Sequence, residues 1–111
     1  MSIGMTPHVR AGERLKDELH KSAEMAGCTL TALCEISQPW ASATFVGGRH
    51  WMMFRIDGDA KRAWLDMLDE DSVYLPGYVL AELAVCDVAV TDGELTALVR
   101  ALTVQEMSRA A

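Results

Sequence analysis

Apolar residues recur along this chain at two different periods. Leu15, Leu19, Ala23 and Ala26 fall at steps of four, four and three, and Val9 and Gly12 extend the same face backwards. That spacing predicts a helix over residues 7–26. Thr6-Pro7 supplies an N-cap and a first helical residue, and Gly27 supplies a left-handed C-terminal cap. Gly12 is expected to fray the first turn. From residue 28 the period changes to two. In CTLTALCEI, Leu30, Ala32, Cys34 and Ile36 alternate with Thr29, Thr31, Leu33 and Glu35, which predicts a strand ended by a turn at Pro39.

The next apolar run contains FVGGRHWMMFRI, residues 45–56. Gly47-Gly48 fits either the turn of a short hairpin or a bulge in one long strand from about 42 to 56, and the bulge is preferred. The long strand would return antiparallel along residues 28–36. Asp57-Gly58-Asp59 turns the chain into a second helix, capped by Asp57 or Asp59, with Ala60, Ala63, Trp64, Met67 and Leu68 as its apolar stripe. The helix ends in the acidic run Asp69-Glu70-Asp71. Pro76-Gly77 marks a type II turn. YVLAELAVCDVAV then reads as a strand with a bulge near Cys86, and Asp92-Gly93 as the turn of a hairpin. Residues 94–104 fit both periods. They are read as a strand, because the preceding one needs a partner; a helix is the competing reading.

The resulting order is α-β-β-α-β-β, an α+β fold. Its simplest packing is a four-stranded, mainly antiparallel sheet with both helices on one face. If the second half inserts between strands of the first, the topology becomes a circular permutation of the ferredoxin-like one. The 111 residues fit a single domain, with an ordered core at about 6–104. A chain of this length buries roughly two-thirds of its unfolded surface and needs neither metal nor disulfide to fold.

Strand parity separates the residues after the glycines. Arg49, Trp51, Met53 and Arg55 share one face, and His50, Met52, Phe54 and Ile56 share the other. The His50 face is apolar and should meet the helices. His50 is then a neutral interior residue whose two nitrogens need partners, and the loop around Ser42 and Thr44 is one source of them. Nothing in the chain covers Trp51 and Met53, unless Arg49 and Arg55 fold their stems over them. Leu33 shares their parity. The expectation is that this face meets another copy of the chain, giving a homodimer or higher oligomer, or meets a small-molecule ligand. Trp40 and Phe45 are further candidates, as a lid on the core or as the lining of a pocket with His50.

Composition narrows the function further. Half the residues are apolar, which is rich for a small domain and implies either that some element is buried on both faces or that part of the surface is sticky. The net charge is −6, with 10 basic residues scattered among 16 acidic ones, so neither nucleic acid nor an anionic membrane is an expected partner. Cys28, Cys34 and Cys86 contain no C-x-x-C and read as buried thiols of a reducing compartment. The first twenty residues lack the pattern of a signal peptide, so a cytoplasmic location is expected. The three histidines show no metal-ligand spacing, and no cofactor motif occurs. The leading expectation is a non-catalytic, self-associating domain. The competing one is a small enzyme with its site at the Gly47-Gly48 break, using His50 as general base and Arg49 as anion stabiliser.

Overall fold

The computed structural model describes residues 6–105. The elements are α1 (Pro7–Met25), β1 (Thr29–Ala41), β2 (Val46–Asp57), α2 (Lys61–Met67), β3 (Tyr78–Thr91) and β4 (Glu94–Gln105). The strands form one antiparallel sheet in the order β1-β2-β4-β3. β2 and β3 therefore run parallel with β4 between them, joined through α2. This order is compatible with the permuted ferredoxin-like arrangement. Residues 94–105 are a strand, and the Asp92-Gly93 turn has φ of 52° and 81°, the double positive values of a type I′ hairpin.

The helical layer lies on one face. α1 turns Ala11, Gly12, Leu15, Leu19 and Ala23 onto the sheet. Val9, expected on that stripe, is exposed, and Ala11 takes its place. The helix ends in a Schellman motif: the Cys28 amide donates to the Ala23 carbonyl and the Gly27 amide to that of Glu24, with Gly27 at φ 85°. α2 has only seven residues and is fastened by Trp64, whose Nε1 donates to Ser22 Oγ of α1 at 3.0 Å. Neither aspartate caps it; Ala60 occupies that position and Asp57 pairs with Arg55 instead. Below the helices lie Leu30 of β1, Met52, Phe54 and Ile56 of β2, Leu83 of β3, and Leu95, Ala97, Val99 and Ala101 of β4. The His20 ring meets Phe54 edge-on at 6.0 Å.

The strands, too, depart from the sequence reading. β1 does not stop at Pro39 but continues to Ala41, with Pro39 opposite Gly48. An edge strand tolerates this, because the missing N–H can lie on its unpaired side. Gly47 and Gly48 form neither a turn nor a bulge; each sits in the regular ladder, and the hairpin turns at residues 42–45. They are glycines because of what lies against them. A Cβ on Gly47 would run into the Thr103 carbonyl, and one on Gly48 would sit 2.9 Å from the His50 ring and 3.0 Å from the His8 Cβ. The bulge of this hairpin is in β1, at Leu33, where the register shifts between Ala32 and Cys34. β3 carries the bulge expected near Cys86 and a second one at Ala81.

Gly12 does not fray the helix. It is buried, and an added Cβ would lie 2.6 Å from Ser37 Oγ and 3.1 Å from His50 Nδ1. Gly12→Ala would raise helix propensity, yet it forces α1 away from the sheet. The expected net result is a loss of about 1–3 kcal/mol in urea unfolding. Unchanged or increased stability would contradict the close approach.

Candidate functional site

The bulge at Leu33 decides which side chains share the uncovered face. Before it, Thr29 and Thr31 lie on that face. After it, parity is reversed, so Cys34, Ile36, Gln38 and Trp40 join them. Glu35 is carried to the helix side, where it pairs with Lys16 at 3.1 Å. Leu33 itself drops out of the ladder, and Ile36 takes the place expected for it.

Three successive rows cross the open face. Cys34, Met53, Leu98 and Asp87 form one. Ile36, Trp51, Arg100 and Ala84 form the second, and Gln38, Arg49, Leu102 and Glu82 the third. Two flanking positions complete the set, Arg55 beside Thr31 and Thr96, and Trp40 opposite Gly47. Trp40 thus lies over a residue with no side chain. Arg49, Trp51, Met53, Arg55 and Trp40 are brought together on one surface, and Phe45 stands in the adjoining hairpin loop, half exposed.

The arginines cover this surface only in part. Arg55 is held by its own sheet, with Nε 3.5 Å from Asp57 Oδ2 and a guanidinium nitrogen 3.5 Å from Thr31 Oγ1. Arg100 pairs with Glu82 at 2.8 Å, which raises its pKa above the ordinary arginine value. Arg49 has no carboxylate partner among the described residues. Met53 stays 39% and Ile36 52% exposed, so the screening by arginine stems is incomplete. Between Arg49, Trp51, Glu82, Arg100 and Leu102 the face dips into a depression of about 250 Å³. This is smaller than the roughly 300–1,000 Å³ of ordinary small-molecule sites.

His50 lies on the opposite, helix-covered face and has no solvent exposure. Both ring nitrogens are engaged, Nδ1 with Ser37 Oγ at 2.8 Å and Nε2 with Thr103 Oγ1 at 2.8 Å. The Thr103 hydroxyl also donates to the Gly48 carbonyl at 3.4 Å. Thr103 then accepts from Nε2–H, and Nδ1 accepts from Ser37, a tautomer that satisfies the whole chain. The partners are not the residues of the 42–45 loop: Ser42 accepts from the Thr44 and Phe45 amides. Burial pushes the His50 pKa down to about 4, and the nearby His8 adds to the shift. Arg49 and His50 point to opposite faces, so they cannot act on one substrate. Trp40 and His50 are separated in the same way and line no common pocket.

Leu98, Leu102 and Arg100 extend the open face on β4. Their common parity was visible in the sequence, but their place beside Trp51 and Met53 required the pairing of β2 with β4. The cysteines are only partly as expected: Cys28 is buried, whereas Cys34 and Cys86 are exposed on the two edge strands. No helix among the described residues is long and apolar enough to cross a membrane. In comparisons with protein-family models, with curated proteins and with solved structures, the chain has no match.

The His50 chain predicts a particular acid sensitivity. Its pKa is lower in the folded protein (about 4) than its ordinary value of 6.5. Its contribution to stability is therefore fully present above pH 6.5 and is lost as pH falls towards 4, on the order of 3 kcal/mol in all. Urea unfolding across this range should show that loss, and His50→Gln should remove most of the pH slope. A slope unchanged by the substitution would mean that other groups carry it.

Proposed function

We propose that this protein is a non-catalytic α+β domain that self-associates through its open sheet face. The observation that carries this reading is the group of Trp51, Met53, Leu98, Leu102 and Ile36, spread over three rows of a face that no described segment covers. Burying one large apolar side chain is worth about 1.5–3 kcal/mol. Trp, Met and Arg are also the residue types enriched where proteins meet.

The size of the face suits this role. Ten residues of β2 pair with β4. At about 3.4 Å per residue, and four strands at roughly 4.8 Å spacing, the planar footprint is on the order of 600 Å². Two such faces bury on the order of 1,200 Å², the lower end of specific interfaces. A second copy of the chain offers the same flat, apolar, arginine-bearing surface. The small-ligand variant has less support, because the depression beside Arg49 is small. The enzyme reading has less again, because His50 is sealed from any substrate by α1.

Two substitutions test this reading without touching the core. Met53→Glu and Leu98→Glu each place a carboxylate in the centre of the face. Each should weaken association at least 100-fold in sedimentation velocity, with far-ultraviolet circular dichroism unchanged. Val90→Glu, at an exposed position on the other face, should leave association as it is. Variants that assemble like the parent protein would exclude the open face as the contact.

A further inference from the structure

In the central rows of the open face the charges without an ion-pair partner among the described residues, Arg49 and Asp87, stand on different strands, and this selects one way for two copies to meet. The basic residues Arg49 and Arg55 stand on β2, Arg55 already paired with Asp57 of the same strand, and the acidic residues Glu82 and Asp87 stand on β3, at the far side of the sheet. Arg100, between them on β4, is already neutralised by Glu82 of its own chain. Arg49 and Asp87 have no ion-pair partner among the described residues, and they lie two rows apart on opposite halves.

Two sheets packed face to face can be related by a two-fold axis in the plane between them, either along the strands or across them. An axis across the strands lays β2 over β2 of the other copy with its ends reversed. Centred on the Trp51 and Met53 rows, it sets the unpaired Arg49 over Arg55, a guanidinium that Asp57 only partly offsets at 3.5 Å. It also stacks the acidic strand β3 on itself. Like charges brought face to face oppose association. An axis along the strands exchanges the halves instead. β2 then lies over β4 and β1 over β3 of the other copy, and every row keeps its level. Arg49 comes over Leu102 with Glu82 on the neighbouring strand, Met53 and Leu98 of the two copies meet, and Trp51 comes over Arg100.

Resting on the self-association reading, we propose that the partner is a second copy docked about a two-fold axis parallel to the strands, with the β1–β2 half of each sheet over the β3–β4 half of the other. The exposed cysteines mark this arrangement. Cys34 of β1 is in the same row as Asp87 of β3, next to the bulged Cys86. With sheets about 10 Å apart, Cys34 of one copy comes over Asp87 of the other, one residue from Cys86. The crossed axis would bring Cys34 within about two residues of Cys34 instead.

The experiment uses two full-length variants, Cys34→Ser and Cys86→Ser, each keeping one of the two rim thiols. They are treated with a short rigid bismaleimide, separately and after being mixed and left to exchange, while light scattering reports the mass of each sample. The expected result is a covalent dimer in the mixture, at least ten times more abundant than in either variant alone, linking Cys34 to Cys86. A covalent dimer from the Cys86→Ser variant alone, through Cys34 on both chains, would overturn the parallel axis in favour of the crossed one. Dimeric mass with no cross-link in any sample would overturn the proposed docking while leaving self-association in place. Monomeric mass in every sample would overturn both.

Discussion

The His50 ring is held from three sides: Ser37 of β1 at one nitrogen, Thr103 of β4 at the other, and the bare backbone of Gly12 against its edge. An imidazole buried without partners would cost several kcal/mol. Here it is neutral and satisfied, so it ties an edge strand, a central strand and its neighbour into one register beneath α1. That register has a consequence on the opposite face. With His50 fixed inwards, Arg49 and Trp51 are fixed outwards, and the alternation of β2 extends the same assignment to Met53 and Arg55.

The helical layer is too small to cover a second face. α1 spans about 28 Å at 1.5 Å per residue, and α2 adds two turns. The fourteen residues of β3 reach roughly 45 Å. The sheet therefore projects beyond its helices, the described residues measure 52 × 31 × 24 Å, and the radius of gyration is 14.8 Å against about 13 Å for a compact domain of this size. The apolar excess in the composition has its place in this geometry. Much of it lies on the open face and along the hairpin ends rather than in a larger core.

Most of the element order could be read from period alone. The Asp92-Gly93 turn resolved the ambiguity of residues 94–105, because two consecutive positive φ values suit a hairpin and not a helix start. The glycines were harder. A Gly-Gly pair signals backbone freedom, but here it records the close approach of Thr103, His8 and the His50 ring, which arises only from tertiary contact. The Leu33 bulge had no signal at all in an otherwise regular alternation. Missing it placed Ile36 and Cys34 on the wrong face. Pro39 misled for a related reason, since its tolerance depends on β1 being an edge, and strand order is not encoded in local sequence. The outward direction of Trp51 and Met53 was legible because parity along a single strand needs no knowledge of its neighbours.

The central claim is that the open face of the sheet is covered by a second copy of the chain. The mass of the unmodified protein, read by light scattering on a sizing column near physiological salt and over a dilution series, tests it most directly. The account predicts twice the chain mass at high concentration, falling towards one chain mass only on dilution. A single chain mass throughout, with no co-purified molecule, would contradict it and leave the face of Trp51 and Met53 bare to water.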